Sequence, residues 1–310
     1  MARKRQFRPL QLAMDTTVKA VVETFISQEK LPATYAETVS QWFLPLTEEI
    51  LRQVAGHHGT FVIGVSGSQG SGKTTLASLL VQLLHSMAGL RCINLSIDDF
   101  YLTHAQRQDL AHEVHPLLAT RGVPGTHDVA LALDTIAALK QPGMVAVPRF
   151  DKAVDDRLPQ AQWPQTQAPM DVVVLEGWCL SVPAADEGAL AEPVNTLERH
   201  EDPDGRWRQY VNKVIATDYK PFYDLVDFLV MLKAPSFEKV YEWRQTQEDK
   251  LAQRIGREGE SGTNRIMSTE QLQRFIQHYE RVTRHGLATL PEQADVVFQL
   301  TDQQTIATRL

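Results

Sequence analysis

Nine residues, from Gly67 to Thr75, have the types and spacing of a phosphate-binding loop. They read GSQGSGKTT, which contains a glycine, four residues, and then Gly-Lys-Thr. Glycines let backbone amides surround phosphate oxygens, and a helix that follows adds the partial positive charge of its N-terminus. In such loops the lysine reaches the β- and γ-phosphates, and the next hydroxyl ligates Mg²⁺. The sequence therefore predicts a nucleoside triphosphate site. Its residues are Gly67, Ser68, Gln69, Gly70, Ser71, Gly72, Lys73, Thr74 and Thr75.

Acidic residues follow two of the strand-like segments. The letters SIDDFY contain Asp98 and Asp99, and the letters LEGW contain Glu176. Ligands of parallel α/β sheets bind beyond the carboxyl ends of the strands, so these acids should lie beside the phosphate-binding loop. Either aspartate could accept the proton of an acceptor hydroxyl. The expected Mg²⁺ ligands are Thr74, Asp98 and Glu176. Alternatively, the aspartates cap the next helix and Glu176 is a surface acid.

Two loops between the second and third strands combine charged residues with Gly and Pro. They read TRGVPGTHD and VPRFDK. Arginine can donate two parallel hydrogen bonds to a carboxylate or a phosphate, so these loops are expected to bind the phosphoryl acceptor. His127 has a structural alternative as a core or capping histidine, and Asp128 is also predicted to be the N-cap of the next helix. The candidate acceptor-binding residues are Asp98, Tyr101, Arg121, His127, Asp128, Arg149 and Lys152.

Arg244 and Arg254 lie on a predicted helix that precedes the polar, glycine-rich letters GREGESGTNR. Such arginines could neutralise charge on a transferred phosphoryl group or contact the nucleotide. The alternative is a solvated helix face with ion pairs between neighbouring turns. The region near residues 244–265 is also a candidate lid over the site.

Strand-like and helix-like segments alternate along the chain, which is typical of a parallel sheet with right-handed crossovers. The sequence therefore predicts an α/β fold of the P-loop type, with a doubly wound, mainly parallel five-stranded sheet. The predicted strands are residues 61–66, 92–97, 170–178, 226–232 and 294–300, with an edge strand at 144–148. The other expected parts are a helical N-terminal extension at 1–56, a P-loop domain at 57–310 and a surface excursion at 182–206.

Composition narrows the class of protein. The net charge is −7, which argues against a general binder of nucleic acid or membranes. The two cysteines, Cys92 and Cys179, lie in apolar strand-like segments, so we expect a reducing compartment, the cytoplasm. No histidine spacing indicates a structural metal. Composition leaves the oligomeric state open.

The order of the motifs resembles a known family. A phosphate-binding loop, LSIDDFYLT, RGVPGTHD, VPRFDK, LEGW and VYEWRQTQE follow one another, and this arrangement is similar to that of the plant-type D-glycerate 3-kinase group. More distantly it resembles uridine kinase, phosphoribulokinase and bacterial pantothenate kinase. The resemblance implies an ATP- and Mg²⁺-dependent kinase with Asp98, not Asp99, as the base. The candidate catalytic residues are Lys73, Asp98, Glu176 and Arg244.

The identity of the acceptor has alternatives. Ser68 stands where the plant group tends to have Pro, and the letters RFDKA differ from that group around the same Arg and Lys. D-glycerate is the leading acceptor, and a nucleoside or a pantothenate-like acid is the alternative within the kinase class. A regulatory ATPase or GTPase is the alternative outside it, although no guanine-reading N/T-K-x-D stretch is found.

Overall fold

The computed structural model describes residues 16–258 and 267–310, with side chains up to 249 and from 267 onward. Within these ranges no helix is both long and apolar enough to cross a membrane. The α-helices are α1 (Thr16–Gln28), α2 (Tyr35–Thr38), α3 (Leu44–Gly56), α4 (Lys73–Ala88), α5 (His104–Glu113), α6 (Val129–Leu139), α7 (Thr196–Glu201), α8 (Arg206–Ala216), α9 (Lys220–Tyr223), α10 (Phe237–Glu258) and α11 (Thr269–Thr289).

The strands form one large sheet and two small ones. They are β1 (Phe61–Gly67), β2 (Cys92–Ser96), β3 (Gly143–Ala146), β4 (Phe150–Asp151), β5 (Asp156–Arg157), β6 (Gln165–Ala168), β7 (Val172–Gly177), β8 (Phe228–Lys233), β9 (Val296–Leu300) and β10 (Ile306–Arg309). The large sheet has the order β10-β9-β8-β1-β7-β2. Every pairing in it is parallel except that of β10 with β9. The α/β class and the mainly parallel sheet are therefore confirmed.

The sequence prediction missed one strand of the large sheet and placed another strand in the wrong sheet. The sheet has six strands, because β10 pairs antiparallel with β9 at one edge. This short strand is half exposed, so it lacks the continuous apolar run that marks the buried strands. The segment expected as an edge strand instead forms β3, which pairs with β6 in a separate two-stranded sheet. Met144 in β3 is exposed, consistent with this position away from the core.

Both faces of the large sheet are covered, because its central strands alternate side chains between two cores. Ile63 of β1 packs in the core with α1, α3 and α4, whereas Val62 packs in the core with α6 and α8. Burial on both sides explains why β1 and β7 read as unbroken apolar runs. Val22 and Ile50, from the predicted N-terminal helices, belong to the first core. Helices α1 and α3 pack against α4, and Glu49 of α3 also pairs with Arg309 of β10.

The segment 182–206 is not only a surface excursion. It contains α7, and Glu198 and Asp202 within it are fully buried. Each buried carboxylate pairs with an arginine: Glu198 with Arg281 at 2.6 Å, and Asp202 with Arg208 at 2.9 Å. Buried charges need such partners, and these partners come from later helices. The acidic residues of the segment led to a prediction of solvent exposure, which was wrong for Glu198 and Asp202 because each is buried in an ion pair.

The candidate lid lies partly beyond the described residues. Helix α10 continues to Glu258, so the helix extends into the segment expected as a glycine-rich loop. The side chain of Arg254 and the whole of residues 259–266 are outside the described part of the chain. The lid and the role of Arg254 stay predictions.

Candidate active site

The phosphate-binding loop joins β1 to α4 at the centre of the sheet. Gly72 is the N-cap of α4 with a φ of 88°, a left-handed conformation that glycine adopts without strain. At Gly67 an added Cβ would lie 2.5 Å from the Ser71 Oγ, so only glycine fits. The hydroxyls of Ser68 and Ser71 are buried and have no hydrogen-bond partner among the described residues. The loop is therefore built with polar groups available for an anion.

Lys73, Thr74 and Glu176 form a polar cluster at the start of α4. The Thr74 hydroxyl donates to Glu176 Oε1 at 3.0 Å, and Lys73 Nζ lies 3.9 Å from Glu176 Oε2. Glu176 is 3% exposed, and its Oε2 accepts no hydrogen bond from the described residues. An unsatisfied buried carboxylate oxygen beside a hydroxyl suits a hard cation such as Mg²⁺. The cluster therefore fits the metal that the sequence predicted.

The two neighbouring aspartates have different surroundings. Asp98 Oδ1 accepts a hydrogen bond from the Tyr101 hydroxyl at 2.9 Å, and Asp98 Oδ2 pairs with Lys152 Nζ at 2.6 Å. Asp99 instead pairs with Arg149 at 3.1 Å and accepts from the Phe150 amide. The hydroxyl of Ser96, not an aspartate, caps the short turn that contains both. Asp98 faces the open site, whereas Asp99 holds β4.

The surroundings also separate the acidities of these groups. Burial alone would raise the pKa of Asp98, but the charges of Lys152 and Lys73 lower it to about 2. Burial raises the pKa of Asp99, and Arg149 opposes this only in part. Asp98 is therefore fully ionised at neutral pH and its side chain remains 26% exposed. It can accept a hydrogen bond from a hydroxyl group in the site.

A cleft of about 580 Å³ runs from the phosphate-binding loop to Lys152. It brings together eleven of the predicted site residues: Gln69, Gly70, Gly72, Lys73, Thr74, Thr75, Asp98, Tyr101, Arg121, Lys152 and Arg244. Its remaining lining residues were not predicted from the sequence: Trp178, Trp243, Thr246, Gln247, Phe275, Tyr279 and Gln304. Trp178 follows a strand end directly, which is a signal that could have identified it. Phe275 and Tyr279 lie on one face of α11 and look like ordinary core residues.

Three predicted acceptor residues do not line the cleft. His127 is buried behind Tyr101, with ring centroids 4.5 Å apart, and its Nδ1 lies 2.6 Å from the Tyr219 hydroxyl. Asp128 is the N-cap of α6, as the sequence predicted, and pairs with Arg157. Arg149 points to Asp99. The three residues support the cleft from behind: His127 stacks on Tyr101, Asp128 pairs with Arg157 of β5, and Arg149 pairs with the neighbour of Asp98.

Three cations of the cleft besides Lys73 already have a carboxylate partner. Arg121 forms an ion pair with Asp155, and its side chain is 25% exposed. Arg244 pairs with Glu248 one turn along α10. The helix-face alternative for Arg244 is thus compatible with its position in the cleft, because its guanidinium has further donors. Lys152, which is 60% exposed, pairs with Asp98.

Comparisons with known proteins place the chain in a family. Residues 62–184 match the Phosphoribulokinase / Uridine kinase family. The "Uncharacterized kinase mug58" of Schizosaccharomyces pombe is 34% identical over 234 residues, covering 71% of this chain and 78% of that relative. The chain belongs to the phosphoribulokinase/uridine kinase family. It is accordingly a P-loop kinase, an enzyme that transfers a phosphoryl group to an alcohol, as the sequence predicted.

Other relatives of this kinase have narrower names. The chloroplastic D-glycerate 3-kinase of Arabidopsis thaliana is 29% identical over 285 residues, or 86% of this chain. The chain spans 58% of that relative's length. The solved structure of D-glycerate 3-kinase from Cryptococcus neoformans var. grubii superimposes with a TM-score of 0.70 and 25% identity, covering 86% of this chain and 98% of the other. The resemblance to the glycerate kinase group is therefore confirmed.

Proposed function

We propose that this kinase uses ATP and Mg²⁺ to phosphorylate a hydroxyl group of a small carboxylated metabolite, with D-glycerate as the leading acceptor. One observation carries the proposal: Asp98 lines the same cleft as Lys73 of the phosphate-binding loop and the cations Arg121 and Lys152. A phosphate site, a carboxylate base and an anion-binding end thus share one cavity. The names of two relatives support the choice of D-glycerate.

The donor half of the site is the phosphate-binding loop. Its amides and the N-terminus of α4 would hold the phosphates, and Lys73 would reach the transferred group. Thr74, Glu176 and Asp98 would hold Mg²⁺, which when bound neutralises charge on the β- and γ-phosphates. Arg244 would add positive charge from the side of α10.

The acceptor half centres on Asp98. Tyr101 and Lys152 each use one lone pair of its carboxylate, which leaves others free for the hydroxyl of the acceptor. With its low pKa, Asp98 is a weak base, so its first task is to orient that hydroxyl. It accepts the proton late, as the new bond to phosphorus forms. This order suits the loose transition state of phosphoryl transfer, in which the attacking oxygen bears little added charge until late.

The carboxylate of the acceptor would bind Arg121 and Lys152. Asp155 occupies part of the Arg121 guanidinium, but five donors leave room for a second carboxylate. Trp178, Phe275 and Tyr279 form an aromatic wall of the cleft, with ring centroids 4.9 Å apart for Trp178 and Tyr279 and 5.1 Å apart for Phe275 and Tyr279. Such a wall excludes water from the transferred group and so limits wasteful hydrolysis of ATP.

A panel of acceptors tests this proposal. ADP release is measured with D-glycerate, a nucleoside and pantothenate, with ATP and GTP in parallel. We expect turnover with D-glycerate and ATP. Turnover with the nucleoside and none with D-glycerate would refute the acceptor. Slow hydrolysis without dependence on any acceptor, and a preference for GTP, would favour a regulatory nucleotidase instead.

The expected location and partners stay predictions. The absence of a strongly basic composition argues against nucleic-acid partners, and the cytoplasmic location rests on the two free cysteines. One relative carries the word chloroplastic in its name, so fractionation of the native host is the direct measurement of location.

A further inference from the structure

Arg107 on α5 is a buried charge that the proposed chemistry does not use. Its side chain is 1% exposed, and no sequence motif singled it out. Its Nε donates to the Leu102 carbonyl at 3.3 Å, and its Nη1 to the Ala119 carbonyl at 2.9 Å. These bonds satisfy part of the guanidinium. Its charge needs a carboxylate as well, because an unpaired buried charge is strongly unfavourable.

Asp155 supplies that carboxylate from the turn between β4 and β5. Arg107 Nη2 lies 2.7 Å from the backbone carbonyl of Asp155 and 3.0 Å from its Oδ2. The other carboxylate oxygen of Asp155 pairs with Arg121. Asp155 has a φ of 57°, a left-handed conformation that is uncommon for a residue other than glycine and is best tolerated by Asn and Asp. One carboxylate therefore joins a buried anchor to a residue of the cleft.

The same turn carries Lys152, which reaches Asp98. Helix α5 also supports β5, the strand that follows this turn, since the His104 amide donates to Asp156 and Gln106 accepts from Arg157. Lys152 itself is 60% exposed, and Asp98 is its one hydrogen-bonded or ionic partner within the described part of the chain. Its position over Asp98 therefore depends on the position of the turn, and that depends on Arg107.

We propose that Arg107 is a positioning residue: through Asp155 it fixes the β4–β5 turn so that Lys152 meets Asp98 and Arg121 stays at the acceptor end of the cleft. This inference rests on the proposed function, because it takes that end to be the acceptor site. The hydrogen bonds and ion pairs of Arg107 and Asp155 described above involve no residue of the phosphate-binding loop. Loss of the anchor should therefore weaken acceptor binding and spare ATP binding.

Substitutions at the two ends of the ion pair test the anchor. Asp155→Gly keeps the left-handed turn and removes the carboxylate, so we expect the KM of the acceptor to rise about tenfold or more. A smaller fall in kcat and a KM for ATP within about twofold of wild type should accompany it. Asp155→Asn keeps an acceptor oxygen and should recover part of the loss. Arg107→Lys keeps the positive charge but loses the planar guanidinium, so the KM of the acceptor should rise above the wild-type value in this variant as well.

Two further measurements keep the test independent of folding and of the acceptor's identity. Val154→Ala, in the same turn at an exposed position, is the matched control and should behave as wild type. Hydrogen exchange of residues 149–158 should become faster in Asp155→Gly and Arg107→Lys, while residues 67–75 keep their wild-type exchange. If Arg107→Lys fails to fold, the KM values and the hydrogen exchange of Asp155→Gly alone test the positioning role.

The outcomes separate this inference from the proposed function. If no acceptor on the panel is turned over by the wild type, the proposed function fails. Hydrogen exchange of the β4–β5 turn then still shows whether Arg107 and Asp155 hold the turn in place. Unchanged exchange in both variants, or equal rises in the KM values of ATP and acceptor, would overturn the positioning role. Faster exchange confined to the turn, together with a selective rise in the acceptor's KM, would support it.

Discussion

Replacing Asp98 by Asn removes the charge of the proposed base and changes little of its shape. The oxygen of Asn can still accept from the Tyr101 hydroxyl, but it cannot pair ionically with Lys152 or take up a proton. Loss of general-base catalysis costs about 10²- to 10⁴-fold in rate. We therefore expect kcat to fall by at least about 100-fold, which corresponds to roughly 3 kcal/mol in the activation barrier.

The same substitution should lower stability by a bounded amount. Burial opposes ionisation of Asp98, and nearby lysines overcome it, so its pKa falls from an ordinary 3.8 to about 2. At about 1.36 kcal/mol per pH unit, this difference corresponds to at most about 2.5 kcal/mol, and partial exposure reduces it. Because the folded-state pKa is lowered, the contribution is present above about pH 3.8 and is lost as the pH falls towards 2.

ADP release near pH 7 and thermal unfolding between pH 2 and 7 measure the two effects. Asp99→Asn is the matched control, since it is the same change one residue away at a carboxylate that faces Arg149 and not the cleft. We expect the control to retain kcat within about tenfold of wild type. Raising Mg²⁺ should not rescue Asp98→Asn if the base is what was lost. A kcat for Asp98→Asn within tenfold of wild type would refute the role of Asp98.

Further substitutions probe the donor site and the buried histidines. Lys73→Ala should reduce kcat/KM, with a loss of about 3–4 kcal/mol of transition-state stabilisation by analogy with other lost oxyanion contacts. Near-normal turnover in the ADP assay would contradict the loop assignment. Glu176→Gln should raise the Mg²⁺ concentration needed for half-maximal activity at least about tenfold, because losing a group that binds or orients a metal costs about 10- to 100-fold in metal affinity; a Mg²⁺ titration that superimposes on wild type would exclude Glu176 from the metal site. Burial lowers the pKa of His127 and of His278 to about 4, so stability should fall on acidification from about pH 6.5 to 4, where the unfolded chain binds more protons. His278→Gln should reduce that slope by up to about 1.4 kcal/mol per pH unit, measured by denaturant unfolding at several pH values; an unchanged slope would show that His278 titrates normally.

Much of the fold could be predicted because its signals are local. The central strands β1, β7 and β8 are runs of mostly apolar residues because helices cover both faces of the sheet, and Val174 and Val230 within them are fully buried. The antiparallel strand β10 escaped prediction since it is half exposed and short. The segment around Glu198 was misread for a related reason: its acidic letters suggested solvent, and the arginine that pairs with Glu198 is 83 residues away.

The order of the motifs resembled a kinase family, and the sequence by itself determined the phosphate-binding loop and the parallel sheet. These depend on residues that are adjacent in the chain: glycines that permit left-handed turns, a Lys-Thr pair at a helix start, and apolar runs. The alternative between Asp98 and Asp99 was open on the residues alone.

Only the tertiary structure decided which side chains share the cleft. Asp98 faces it because Lys152, 54 residues later, reaches over from the β4–β5 turn, whereas Asp99 is held by Arg149. The aromatic wall of Trp178, Phe275 and Tyr279 joins parts of the chain about 100 residues apart. Contacts over such distances depend on how the helices and loops pack on the sheet, and the spacing of residues along one chain does not carry that information.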